Sequence, residues 1–257
     1  MTEKKIVLVA GKGAPTHIVF NAIEKEHGIS LAIIEDKEDL KKFIKRRIKR
    51  LGIVTVAGQI LFQVLVLKLL KRVSKNRYQQ ILSEEQLNEV PIPSQKIKYV
   101  NSVNSAETIE LLKTLNPDLI IVNGTRIISK KVLTAVNCPF INTHVGITPK
   151  YRGVHGAYWA LVNNDAAHCG VTVHLVDEGI DTGNIIFQQN IDVTKQDNFY
   201  TYPLLQLAEG VKLLNKAIAA FYNQNLQSIK ESEGESKIWY HPTAWQYLYN
   251  RLIKGVK

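Results

Sequence analysis

Cysteine is almost absent: Cys138 and Cys169 are the only two in 257 residues. Two thiols without a metal-site spacing exclude a disulfide-stapled scaffold and a cysteine-ligated zinc centre, and both read as small core residues. His155, His168 and His174 have no ligand spacing beside carboxylates, so no metal is expected. Proline is scarce as well, with eight in the chain. With 45% apolar and 22% charged residues, that scarcity excludes disordered and fibrous classes. No export signal precedes the apolar run 6–10, itself too short for one, so an intracellular, cytoplasmic location is expected. A long uncharged, mostly apolar stretch, residues 51–67, is seventeen residues long and includes Gly52, Gly58, Gln59 and Gln63. A spanning helix needs about 20 apolar residues, so no transmembrane span is expected.

Acid is missing from one long stretch. Residues 41–83 hold twelve Lys or Arg and no Asp or Glu, leaving 21 basic against 23 acidic residues elsewhere. The net charge of +10 therefore belongs to one segment, and a general nucleic-acid surface is not expected.

Apolar runs at 6–10, 30–35, 117–124, 139–142 and 169–176 alternate with helical patterns at 17–26, 106–115 and 201–222. This alternation predicts an α/β fold, Rossmann-like, with a mostly parallel sheet flanked by helices. Residues 38–95 interrupt it as a helical basic insertion. Lys42, Lys45, Arg46 and Lys49 recur at helical spacing there, which predicts a helix with a solvated basic face packed on the core. One main domain, residues 1–225, is expected, followed by a short C-terminal aromatic extension, residues 226–257.

The chemistry concentrates between residues 142 and 183, in Asn142-Thr143-His144, Pro149-Lys150-Tyr151-Arg152-Gly153 and Asp177-Glu178-Gly179-Ile180-Asp181-Thr182-Gly183. Singly, Asn142 and Asp181 are turn formers and His144 is a core histidine. Together they supply what acyl transfer to an amine needs: an amide to donate to an oxyanion, an imidazole to share that task or relay a proton, and a carboxylate to hold the ring and take the amine's proton.

These motifs resemble those of the folate-dependent formyltransferase family, which includes phosphoribosylglycinamide formyltransferase, methionyl-tRNA formyltransferase and the sugar N-formyltransferases. The resemblance covers roughly residues 100–190. It implies N10-formyltetrahydrofolate as co-substrate, Asn142, His144 and Asp181 as catalytic residues, and a folate pocket from the backbone of Gly124, Thr125, Arg126, Ile127 and Ile128 with the loop holding Asp177 and Glu178. Asn123 stands where a small residue is common in the family. Gly11, Lys12 and Gly13 could present amides to an acceptor phosphate, or form only a tight strand-to-helix turn. Lys150, Tyr151 and Arg152 are further candidates for acceptor binding.

Only 32 residues follow residue 225 and the first strand starts at Ile6, so neither the C-terminal domain of methionyl-tRNA formyltransferases nor a regulatory domain like that of the formyl-folate hydrolases is expected. The basic insertion and aromatic tail are unlike the compact glycinamide enzyme. The expected acceptor is therefore a nucleotide-linked amino sugar of polysaccharide biosynthesis, met by aromatic faces and by Lys and Arg. Phosphoribosylglycinamide, a lipid-linked amino sugar and a non-catalytic folate or nucleotide binder are the alternatives. Residues 41–77 also suit an anionic membrane surface, and a homodimer is compatible with the sequence.

Overall fold

The computed structural model describes residues 4–230 and 234–257, so parts of the expected N-terminal lead and C-terminal extension lie outside the described residues. Seven strands form one central sheet: β1 (Ile6–Gly11), β2 (Leu31–Glu35), β3 (Ile97–Val100), β4 (Leu119–Asn123), β5 (Phe140–His144) and, after the two-residue β6 (Arg152–Gly153), β7 (Gly170–Leu175) and β8 (Ile185–Asn190). Their order is β3-β2-β1-β4-β5-β7-β8; the first five run parallel, and β7 and β8 are each antiparallel to the strand before. β1 and β4 are uniform apolar runs because helices cover both of their faces. The order reverses between β1 and β4, and the crevice beyond the carboxyl ends of such strands is where ligands enter α/β sheets.

Helix α1 (Ala14–Glu26) follows β1, with Pro15 in its first turn. The expected insertion comes next as α2 (Leu40–Leu51), α3 (Ile53–Leu61), a π-helical turn (Phe62–Val66), α4 (Leu67–Val73) and α5 (Lys75–Glu84). Asp39 caps α2 by accepting from the Lys42 amide at 2.9 Å, and Gly52 at φ 83° turns the chain into α3. From Ile53 to Val73 the chain is one continuous 21-residue helix, by length and composition enough to cross a bilayer, which the shorter uncharged run did not suggest. It lies on the domain instead. Val56, Phe62 and Leu70 are buried, and Gln59 donates to the His241 carbonyl at 2.7 Å.

The insertion is bolted to the catalytic body. Arg77 donates through Nε to the fully buried Asp197 at 2.8 Å, Ser74 accepts from Asn198 at 2.7 Å, and Tyr78 stacks on Tyr200 at 5.3 Å. Burial alone would raise Asp197, but the Arg77 guanidinium together with hydrogen bonds from Thr194 outweighs it and holds the carboxyl below its ordinary range.

Helices α6 (Ala106–Leu115), α7 (Lys130–Leu133), α8 (Gly156–Val162) and α9 (Tyr202–Tyr222) complete the layers, and the chain ends with β9 (Ile238–Trp239) and α10 (Ala244–Ile253). β9 pairs in parallel with β6. Trp239 stacks on Trp159 at 4.8 Å and on Tyr151 at 5.7 Å, while Tyr247 meets Phe62 at 5.2 Å in a second core shared with Tyr158 and Phe199. The aromatic extension thus packs on its own chain and cements α3 to the body.

Candidate active site

Asn142 and His144 stand two residues apart at the carboxyl end of β5, and Asn142 is paired with His174 across β7. His174 Nδ1 faces its neighbour's carbonyl, Leu175 O, at 2.7 Å, so that nitrogen carries the proton. Its Nε2 then accepts from Asn142 Nδ2 at 3.1 Å. Burial, ahead of nearby charges, lowers the His174 pKa and favours this neutral tautomer. One amide hydrogen of Asn142 is thereby fixed and the rest of its amide faces the cavity. Sequence reasoning missed His174, because only the β5–β7 register sets it opposite Asn142.

The loop after β7 carries Asp181 back over the strand ends. Asp181 sits at φ 52°, a left-handed conformation that Asp tolerates better than most residues. Its Oδ2 accepts from the Gly153 amide at 3.0 Å and lies 3.3 Å from His144 Nδ1, and its Oδ1 is 3.8 Å from His174 Nε2. His144 Nε2 meets the Tyr151 carbonyl at 2.8 Å. Both nitrogens of the buried His144 ring therefore face oxygens of the protein, an arrangement that orients Asp181 and leaves neither nitrogen pointing at the cavity. Gly146 makes the close approach possible: a Cβ there would run into the Tyr151 carbonyl and stand 2.7 Å from His144 Nε2.

A cavity of about 620 Å³ opens in front of these groups, lined by Asn142, His144, His174 and Asp181. Its size suits a drug-sized ligand. Gly124, Thr125, Arg126, Ile127 and Ile128 all line it, as does Asp177. The Arg126 side chain turns away, with its amide donating to Glu35 Oε1 at 2.6 Å and its guanidinium held by the Asp36 carbonyl, so backbone and apolar groups form this wall. Val122, Ile128 and Ile180 add apolar lining beside these backbone groups. Glu178 does not line the cavity; it points outward and pairs with Lys130 at 2.9 Å. Asp177 caps its own loop, accepting from the Gly179 amide at 3.0 Å and from Thr182 at 2.8 Å.

The expected acceptor residues fall elsewhere. Tyr151 is a core residue, 1% exposed, donating to Asp165 at 2.9 Å. Lys150 pairs with Asp165 at 2.7 Å beside a separate groove, and Arg152 donates to the Ile180 carbonyl at 3.2 Å, bracing the Asp181 loop. Gly11, Lys12 and Gly13 do not line the cavity: Lys12 pairs with Asp36, and a Cβ on Gly11 would press on the Gly124 carbonyl. The glycine at position 11 serves packing between β1 and the loop after β4.

The insertion supplies the opposite wall instead. Phe43, Arg46, Arg47 and Arg50 of α2 face the cavity with Tyr240 and His241. The Arg47 guanidinium lies 5.2 Å from the Phe43 ring and 5.9 Å from that of Tyr240, and Arg50 lies 5.2 Å from Tyr240. Arg46 is held bidentately by Glu38 at 2.7 and 2.8 Å. Arg47 Nε is buried without a hydrogen-bond partner among the described residues, and burial lowers the Arg47 pKa. The basic face expected to be only solvated thus forms part of the cavity.

A family model described as formyl transferase matches residues 4–218. The chain belongs to the formyl transferase family. It is similar to the methionyl-tRNA formyltransferase of Thermodesulfovibrio yellowstonii, 37% identical over 111 residues, 43% of this chain and 36% of that protein. The chain spans less than half the length of the curated relatives it matches. The fold matches phosphoribosylglycinamide formyltransferase from Streptococcus pneumoniae with a TM-score of 0.55 at 20% identity, covering 85% of this chain and 99% of that one. It also matches an N-formyltransferase from Helicobacter canadensis, solved with folinic acid and dTDP-3-aminofucose, with a TM-score of 0.54 at 19% identity, covering 91% and 70%.

Proposed function

We propose that this formyl transferase moves a formyl group from N10-formyltetrahydrofolate to the primary amine of a nucleotide-linked amino sugar. Arg47 carries the acceptor half of this reading. A guanidinium lining the cavity beside Arg50, 5.2 Å and 5.9 Å from the Phe43 and Tyr240 rings and with its Nε unpartnered among the described residues, suits a diphosphate. The Helicobacter canadensis likeness, with its dTDP-linked amino sugar, supports the same acceptor class.

The folate supplies an activated formyl group, held on the wall of residues 124–128. Asn142, one hydrogen engaged by His174, donates the other to the oxyanion that develops as the amine nitrogen bonds to the formyl carbon. Asp181, steadied by Gly153 and His144, accepts the proton that the amine gives up and returns it to the folate nitrogen as the bond from that nitrogen to the formyl carbon breaks. His144 and His174 act here as positioning residues.

Tetrahydrofolate release with GDP-, dTDP- and UDP-linked amino sugars, phosphoribosylglycinamide, methionyl-tRNA and a lipid-linked amino sugar tests the proposal, with Asp181→Asn as control. Turnover with one nucleotide sugar, lost in the variant, is the expected result. Turnover confined to phosphoribosylglycinamide or methionyl-tRNA overturns the acceptor. The lipid-linked arm is included because the insertion continues from the cavity wall into an exposed apolar helix face.

A further inference from the structure

The helix from Ile53 to Val73 has two unlike sides. Its inner stripe, Val56, Phe62 and Leu70, is buried, the last two in the aromatic core, yet only 28% of its most apolar stretch is buried. Leu61, Leu65 and Leu69 stand 46%, 59% and 60% exposed on the other side. A helix facing only water puts polar residues there.

Helix α10 repeats the arrangement. Ala244, Tyr247 and Asn250 face inward, while Trp245, Leu248, Tyr249 and Leu252 are exposed. The two helices form one face, because Gly58 lets the Trp245 ring lie directly on α3; even a Cβ at position 58 would collide with it. At 1.5 Å per residue the longer helix gives this face a length of about 32 Å. Contiguous apolar surface of this kind marks a docking site.

The rim says for what. No Asp or Glu occurs in residues 40–83 or 236–257. Lys68, Lys71 and Arg72 flank the apolar residues of the long helix, and Arg251 and Lys254 those of α10. A second copy docked through this face would bring like charges together, whereas an anionic surface complements them. Trp245 and Tyr249 have the amphipathic rings that settle at headgroup level. Spanning would tear the inner stripe from its core, so the helix lies in the plane.

We infer that the α3–α4 and α10 face docks this protein on an anionic lipid bilayer, with the leucines at the acyl boundary and the lysines and arginines among the headgroups. The inference stands apart from the choice of acceptor, since vesicle binding is read without turnover.

The full chain is sedimented with vesicles of phosphatidylcholine alone and of phosphatidylcholine mixed with phosphatidylglycerol. Binding about tenfold tighter to the anionic vesicles, weakened by salt, is expected. Acyl-chain bromines should quench a tryptophan signal that Trp245→Phe removes. Leu65→Asp with Leu69→Asp should cost about tenfold in vesicle affinity, with thermal stability unchanged because both positions are exposed. Lys68→Gln with Lys71→Gln should abolish the preference for anionic lipid. Equal binding to both vesicles, or binding indifferent to the leucine pair, overturns the inference. So does concentration-dependent dimerisation in light scattering that the leucine pair abolishes, which would give the face to a second copy.

Discussion

At the scale of single residues, the site depends on one hydrogen bond that no motif announces. Neutral His174 accepts from Asn142 and so aims the remaining amide hydrogen. His174→Leu should lower kcat by roughly tenfold to a hundredfold, an effect of about 1.4 to 2.7 kcal/mol, with KM for the folate little changed. Steady-state kinetics check this, and a loss confined to KM would contradict it. Asn142, His144 and Asp181 were singled out by their residue types, their spacing and the family resemblance, and the structure brings the three together at the cavity. His174 was not, since its partner lies 32 residues away and is defined only by strand register. Tyr151 misled in the other direction: its side chain is core, and only its carbonyl touches His144.

At the scale of elements, the alternation of apolar runs and helical patterns made the parallel sheet readable, while β3 and β8 escaped. Both lie at sheet edges and carry polar side chains, Lys98 in one and Gln188 and Gln189 in the other, so neither has the uniform apolar run of a covered strand. Two features join the C-terminal extension to the rest of the molecule, one to the insertion and one to the body. Gly58→Ala would drive a methyl group into Trp245, so a loss of about 1 to 3 kcal/mol in denaturant unfolding is expected. The second is the contact between His155 Nε2 and His241 Nδ1 at 3.0 Å. Burial lowers His155 well below the ordinary range, and burial with help from Arg47 lowers His241 to about 4. In the folded state these rings stay neutral where unfolded histidines, with a pKa of about 6.5, take a proton. Their contribution is complete above that value and fades as pH falls toward about 4. Stability should drop on the order of 1 to 3 kcal/mol across that window. Urea midpoints along a pH series check this, and His241→Gln should flatten the slope. Asp165, held at about 2 despite burial by Lys150, His168 and Tyr151, contributes its own loss only at lower pH.

At the scale of the whole molecule, the excess charge is local and has two destinations. Residues 41–83 put Arg46, Arg47 and Arg50 on the cavity wall and Lys68, Lys71 and Arg72 beside the exposed apolar face, while the rest of the chain is near neutral. A positive wall on one side of a cavity, across from the wall of residues 124–128, should favour an anionic acceptor bound against it more than a donor held on the far side. Arg47→Gln should therefore raise KM for the acceptor about tenfold, roughly 1.4 kcal/mol, and leave KM for the folate unchanged. Added salt should raise acceptor KM in the parent protein and less steeply in the variant, because one partner of the screened attraction is gone. A variant that weakened both substrates equally would instead make Arg47 a brace for Tyr240 and α2, and would remove the charge argument for a diphosphate acceptor. Phe43 gives the internal control: Phe43→Leu strips the ring from beneath the guanidinium but keeps the charge, so acceptor KM should rise while its salt dependence persists.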